Sequence, residues 1–145
     1  GTGATLPAQG KPLKIGKGRV LRQGDDVAIL SYGTRLGEAL KAADMLEKKA
    51  LSVTVADARF AKPLDVDLLK TLAANHKTLI IIEDGSANGF GALVLQTLAN
   101  LGLLDGGLKV RSLHLPDIYQ DHNSQDKQYE EAHLLAQDIV NAALK

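Results

Sequence analysis

The 145-residue chain has no cysteine and no tryptophan, and only three tyrosines and two phenylalanines. Without thiols, a disulfide scaffold, a thiolate metal site and a cysteine nucleophile are all excluded. With so few aromatics, a core must be built from Leu, Ile, Val and Ala. An excess of charge is missing too: 17 basic residues balance 17 acidic ones. That argues against nucleic acid or an anionic membrane as the main partner, since both select a basic surface. No apolar run approaches the roughly 18 residues of a membrane span. The first residues lack the apolar segment of a signal peptide. The expectation is a cytoplasmic protein, or a piece of one.

What is present is enough for one domain with a real core. Residues 1–17 show no periodicity and hold Gly1, Gly3, Gly10, Gly16, Pro7 and Pro12. This is the composition of an interdomain linker, or of a disordered tail. A domain is expected over residues 18–145. Arg19 to Arg22 and Val27 to Ser31 are short strand-like runs, separated by Gln23-Gly24-Asp25-Asp26. Such closely spaced runs predict an antiparallel hairpin. Leu36, Ala39, Leu40, Ala43, Leu46 and Ala50 share one stripe at helical spacing, predicting a helix over 35–50 with Thr34 as its cap. Val53 to Asp57 reads as a strand. Asp65 is placed to cap a helix over 66–75.

Leu79 to Ile82 is a β-branched run bounded by turn residues, as in a strand buried on both faces. It is expected at the sheet centre. A helix follows to about Leu101, where Gly102 can stop it. Leu108 to Leu115 predicts the last strand. Helices over 124–133 and 135–144 follow, the second covering a sheet face with Ile139, Val140, Ala143 and Leu144. The alternation of strands and helices predicts an α/β fold: a mostly parallel sheet with helices on both faces and a first strand running against the rest.

Chemistry is concentrated around Glu83-Asp84-Gly85-Ser86-Ala87-Asn88-Gly89-Phe90-Gly91. Backbone amides at the start of a helix can cradle a phosphate. The spacing Gly85, Gly89, Gly91 fits neither of the usual phosphate-loop patterns, and Glu83 and Asp84 would repel an anion. The other reading is a turn whose glycines let a helix start close to a neighbouring backbone. Glu83 and Asp84 are adjacent in a strand, so they point to opposite faces and form no acid–base dyad. Asp57, followed by Lys62-Pro63, is weakly similar to a phosphorylation receiver, but the acids such a domain needs for magnesium are replaced by Ser31-Tyr32-Gly33. The alternative is a surface or interface pair between Asp57 and Arg59, worth at most about 1 kcal/mol if exposed. His76, His114, His122 and His133 lack metal-ligand spacing. Asp121-His122 is a loop pair, functional or merely solvated. No catalytic, cofactor-binding or metal-binding residue is assigned.

Val53 to Asp65, VTVADARFAKPLD, resembles the signature of the C-terminal domain of transketolase-like thiamine enzymes. Its Arg-Phe-x-Lys-Pro-Leu-Asp form is most similar to the 1-deoxy-D-xylulose-5-phosphate synthase family. Further matches fall in order along the chain. They are Ile15-Gly16-Lys17-Gly18, Val27 to Thr34, Glu83 to Ser86 with Gly89 to Ala92, and Leu115-Pro116-Asp117. The resemblance implies a three-layer α/β/α domain with a five-stranded mixed sheet, its first strand antiparallel. It also implies one end of a three-domain homodimer that joins pyruvate and glyceraldehyde 3-phosphate with loss of carbon dioxide. In that family thiamine diphosphate and Mg2+ are held by the first two domains, so none is expected on this chain, which would be inactive alone. The partners implied are those other domains. Arg59, Lys62, Glu83, Gly85, Gly89, Phe90, Gly91 and His122 are the candidate interface residues. Alternatives are the C-terminal domain of a 2-oxo acid dehydrogenase β-subunit or of a transketolase, and a free-standing receiver-like module.

Overall fold

The runs rich in Val, Ile and Ala form one five-stranded sheet, in a computed structural model that describes Thr5 and residues 8–145. Of the segment read as a linker, residues 1–4, 6 and 7 lie outside the described residues. The elements in order are β1 (Arg19–Arg22), β2 (Val27–Tyr32), α1 (Leu36–Glu47), β3 (Val53–Asp57), α2 (Val66–Asn75), β4 (Thr78–Ser86), α3 (Phe90–Asn100), β5 (Lys109–Leu115), α4 (Gln125–Glu131) and α5 (Ala136–Ala143). The strand order is β1-β3-β2-β4-β5. β1 is antiparallel to β3, and the other pairs are parallel.

The pleat sorts the core into two layers. Val27, Ile29, Val53, Val55, Ile80 and Ile82 face α1 and α5, where Ala39, Ala43, Leu46, Ile139 and Val140 are buried. Ala28, Leu30, Ala56, Leu79 and Ile81 face α2 and α3, where Leu69, Leu72, Val94 and Leu98 are buried. Successive residues thus serve opposite layers, which is why Val27–Leu30 of β2 and Leu79–Ile82 of β4 are unbroken apolar runs. Both edge strands carry cationic residues, Arg19 and Arg22 on β1 and Lys109 and Arg111 on β5. Such charges discourage pairing with a further strand.

Several expectations are corrected. β1 and β2 do not form a hairpin, because β3 lies between them. β2 is buried with parallel neighbours on both sides, while β1 is a half-exposed edge. The intervening turn is tied to β3 instead: Gly24 N–H donates to Thr54 Oγ1 at 3.0 Å, and Thr54 Oγ1 donates to the Gly24 carbonyl at 2.7 Å. Arg22 reaches α1 at Asp44 (2.7 Å) and Glu47. β2, not β4, is the middle strand. α1 ends at Glu47, and Ala50 leaves the stripe with φ 62°. Ala42 is buried in its place. Leu144 is 55% exposed, and Ala142 takes the core position expected of it.

Two helix signals work as read. Gly102 has φ 67°, and the carbonyls of Ala99 and Leu98 accept from the N–H groups of Gly102 and Leu103 at 3.0 and 2.9 Å. That is a glycine-terminated helix end. Asp65 caps α2 by accepting from Leu68 N–H at 3.2 Å. It also accepts from Gly18 N–H at 3.0 Å and Lys17 Nζ at 3.1 Å, so it ties the start of the domain to α2. Burial works against this carboxylate, but the three donors outweigh it and hold its pKa below the ordinary value. A folded value below the unfolded value of about 3.9 means that the stabilisation is complete above that pH. It is lost as pH falls through the folded value. Asp65→Asn keeps a capping oxygen but loses the charge. It should be less stable than the parent at pH 7 by about 1 kcal/mol, and the gap should close in urea titrations repeated from pH 5 down to pH 3.

Candidate functional site

Loops gather at the carboxyl ends of β3, β2, β4 and β5. The adjacent strands β2 and β4 send their chains to opposite faces, to α1 and to α3. In open α/β sheets the crevice at such a point is where ligands bind. Here it is filled by the protein itself. β4 continues past Ile82 to Ser86, so Glu83 and Asp84 are strand residues. Their side chains diverge with the pleat.

Glu83 turns toward α3 and is 3% exposed. Its Oε2 accepts from Phe90 N–H at 3.0 Å, and its Oε1 from Gly91 N–H at 2.8 Å. The first amides of a helix have no partner within it and carry its positive end. A buried carboxylate bonded to two of them satisfies both groups at once. The glycines make room for it. A Cβ built at Gly85 or Gly89 would lie 2.5 or 2.6 Å from Glu83 Oε2. Asn88 turns the chain with φ 67°. Phe90 then stacks on Tyr32 of β2, with centroids 4.7 Å apart and planes at 22°.

Asp84 turns toward α1. Its Oδ2 accepts from Thr34 Oγ1 at 2.7 Å. Thr34 was expected to cap α1. The cap position is instead Arg35, with no side-chain hydrogen bond, and the Thr34 hydroxyl bridges β2 to β4. The Arg35 guanidinium donates to Thr34 Oγ1 from Nε and Nη2, and lies 3.4 Å from the ring centroid of Tyr129 in α4. Nearby, Ser31 Oγ is buried without a hydrogen-bond partner, the one such side-chain atom among the described residues. Leaving it unpaired costs about 1–3 kcal/mol.

Around this centre, Asp57 at the end of β3 accepts from Arg19 Nε at 3.1 Å and from Arg59 N–H at 3.1 Å. The Arg59 guanidinium stands farther off, with Nε 3.9 Å from Asp57. Arg59 has φ 59°, a conformation uncommon for a residue with a side chain. Lys62, Gly89 and Phe90 line one groove of about 460 Å3, with Ala61, Asn88 and Leu93. His122 lies apart, exposed on the loop after β5. The structure therefore gathers Glu83, Gly85, Gly89, Phe90 and Gly91 into one unit, sets Lys62 beside it, places Arg59 just past the end of β3, which β2 separates from β4, and leaves His122 outside.

Sequence reasoning missed the bridge from Thr34 to Asp84 and the role of His76. His76 Nδ1 is 2.9 Å from the Leu72 carbonyl, and its Nε2 is 2.9 Å from the Gly24 carbonyl and 2.8 Å from Thr54 Oγ1. It locks the end of α2 to the β1–β2 turn and to β3. Its place just after a helix was the available signal, since a histidine there can reach the last free carbonyls.

Among the described residues no group of three or more His, Asp or Glu is placed to hold a metal ion. The amides at the start of α3, which a diphosphate would need, already serve Glu83. The residues present therefore do not fit thiamine diphosphate. No helix of the described residues is long and apolar enough to cross a membrane.

These features define a three-layer α/β/α domain whose strand-end crevice is closed by its own carboxylates. The chain belongs to the transketolase C-terminal domain family, whose model, described as "Transketolase, C-terminal domain", matches residues 16–139. Among solved structures it is similar to one described as "Split gene transketolase, inactive beta4 tetramer". The two share 28% identity and a TM-score of 0.83, over 91% of this chain and 42% of that one. The chain thus spans less than half the length of that relative.

Glu83→Gln keeps the size but turns one oxygen into a donor facing a donor. It should lower stability by about 2 kcal/mol, the scale of hydrogen bonds to a charged group. A urea midpoint equal to that of the parent would show that the carboxylate does not hold α3 in place.

Proposed function

We propose that the chain is the C-terminal domain of a thiamine diphosphate-dependent 1-deoxy-D-xylulose-5-phosphate synthase, where it serves assembly and not chemistry. The closed crevice carries the assembly role: the place where an α/β sheet offers a ligand site is occupied by Glu83, Asp84 and Thr34. The synthase assignment is supported by Arg59-Phe60-Ala61-Lys62-Pro63-Leu64-Asp65 together with the Gly89-Phe90-Gly91 turn. On this reading the enzyme is a homodimer, and its other domains hold thiamine diphosphate and Mg2+. It makes 1-deoxy-D-xylulose 5-phosphate and carbon dioxide from pyruvate and glyceraldehyde 3-phosphate, the entry to isoprenoid, thiamine and pyridoxal synthesis by the non-mevalonate route. It works in the cytoplasm. Residues 1–17 link the preceding domain to residues 18–145. The unit built from Glu83, Gly85, Gly89, Phe90 and Gly91 meets the neighbouring domains, with Lys62 beside it, while Arg59 and His122 are separate contact candidates away from it.

A second reading, a transketolase, is favoured by the similarity to the split-gene enzyme. A 2-oxo acid dehydrogenase β-subunit would use the same domain. Two measurements test the assembly role and the choice between synthase and transketolase. Calorimetric titration of this chain with thiamine diphosphate and Mg2+ should give no saturable heat, and micromolar binding would end the assembly account. Added to the other two domains of the enzyme, the chain should restore product formation from pyruvate and glyceraldehyde 3-phosphate. If the chain instead restores transfer from xylulose 5-phosphate to ribose 5-phosphate when added to the first two domains of a transketolase, and fails with those of the synthase, the transketolase reading is selected. Gly89→Val, which overpacks the Glu83 carboxylate at a typical cost of about 1–3 kcal/mol, should weaken that complementation roughly tenfold or more. The cofactor affinity of the other domains should stay unchanged.

A further inference from the structure

Asn75, Asn88, Asn100, Asn123 and Asn141 are the asparagines of the chain, and Asn88 alone is followed by glycine. The others precede His76, Leu101, Ser124 and Ala142. An asparagine side chain can be attacked at Cγ by the backbone nitrogen of the next residue. A Cβ on that residue obstructs the approach, and glycine has none. The setting of Asn88 differs too. It is exposed, with φ 67°, in the turn between β4 and α3. Gly89 N–H donates to the Ser86 carbonyl at 3.2 Å, the long end of the range for such a bond. By contrast, Oδ1 of Asn123 accepts from Ser124 N–H at 2.9 Å, and Oδ1 of Asn141 accepts from Gln137 Nε2 at 2.9 Å. Glu83 and Asp84 oppose a new negative charge near the turn, but the Lys62 cation lines the same groove as Asn88 and Gly89.

We propose that Asn88 is a site of spontaneous modification, and that its rearranged product releases α3 from Glu83. The Gly89 nitrogen loses its proton and bonds to Asn88 Cγ, and the side-chain nitrogen leaves as ammonia. A cyclic imide results. Water then opens it at one of its two carbonyls. Addition at Cγ restores the main chain and leaves an aspartate at position 88. Addition at the main-chain carbonyl breaks the original peptide bond, so the chain runs on through Cγ as an isoaspartate. In sum an amide and water become an acid and ammonia, with no other reactant. The two products act differently on the fold. An aspartate keeps the backbone and tolerates a positive φ. The isoaspartate adds one main-chain bond of about 1.5 Å just before α3. Phe90 N–H and Gly91 N–H lie 3.0 and 2.8 Å from the Glu83 oxygens, and Gly89 is already close against that carboxylate. A turn lengthened there cannot hold both amides on both oxygens. The chemistry is the same whichever thiamine enzyme the domain serves.

Incubation of the chain at 37 °C, at pH 7 and pH 8.5, followed by peptide mapping with electron-transfer fragmentation, tests it. Position 88 should convert to acid roughly tenfold or more faster than positions 75, 100, 123 and 141. The conversion should be faster at the higher pH, because the attacking nitrogen must first lose its proton. The purified isoaspartate form should have a urea midpoint lower by roughly 1 M, the scale of losing hydrogen bonds to a charged group. A fresh Asn88→Asp chain should match the parent midpoint, which separates the added charge from the rerouted backbone. Asn88→Gly, which suits a positive φ, should keep the fold and abolish the change. Acid formation at position 88 no faster than at the other asparagines would overturn the proposal. So would an isoaspartate form with the parent midpoint, or a fresh Asn88→Asp chain as unstable as the isoaspartate form.

Discussion

The bond between the Glu83 carboxylate and the first amides of α3 is the constraint on which the upper half of the domain rests. It fixes where α3 begins, and so how Val94 and Leu98 meet Leu79 and Ile81. It brings Phe90 onto Tyr32 and so joins β2 to the helix that follows β4. Gly85 and Gly89 are needed because a carboxylate buried against a helix start leaves no room for side chains around it, and Gly91 because a side chain there would run into Ser112 of β5. The positive end of the helix, which in other α/β folds receives a substrate phosphate, is neutralised internally. A ligand-binding device has become a structural joint.

Asp84 completes this joint on the other face. Adjacent acids in a strand cannot share a proton, but they can hold two different helices. Glu83 takes α3, and Asp84 takes the segment leading into α1 through Thr34. Arg35 then carries the connection to Tyr129, and Glu38 accepts from Ala136 N–H at 2.9 Å to reach α5. The carboxyl end of the sheet, which would otherwise be open, is therefore cross-linked by side chains. A rigid, closed edge suits a surface that must keep its shape while other domains pack on it. At the opposite end, His76 and Thr54 hold the β1–β2 turn, so both ends of the sheet are pinned by polar contacts that the apolar layers do not supply.

Much of the fold was legible because each element carries its own period. β2 and β4 hold the unbroken apolar runs Val27–Leu30 and Leu79–Ile82, α2 carries its start signal in Asp65, and α3 its stop in Gly102. Asp65 and Gly102 act locally, so their roles follow from local sequence. The hairpin reading of β1 and β2 failed because strand pairing is not local. Two neighbouring runs look alike whether they pair or are separated by a third strand. Leu144 and Ala50 failed for a related reason, since a stripe does not say where a helix frays.

By itself the sequence determined the elements, the two-faced burial of the middle strands, the opposite orientation of Glu83 and Asp84, and the family through a run of motifs in order. These depend on neighbours within a few residues, or on patterns that survive without coordinates. Only the tertiary structure decided what the two acids do. The partners of Glu83 lie on a helix whose start depends on the glycines between them, and the partner of Asp84 lies on another strand's loop. Whether a glycine turn after a strand holds a phosphate or a carboxylate of its own chain depends on which group reaches the amides first in space. No spacing along the chain records that.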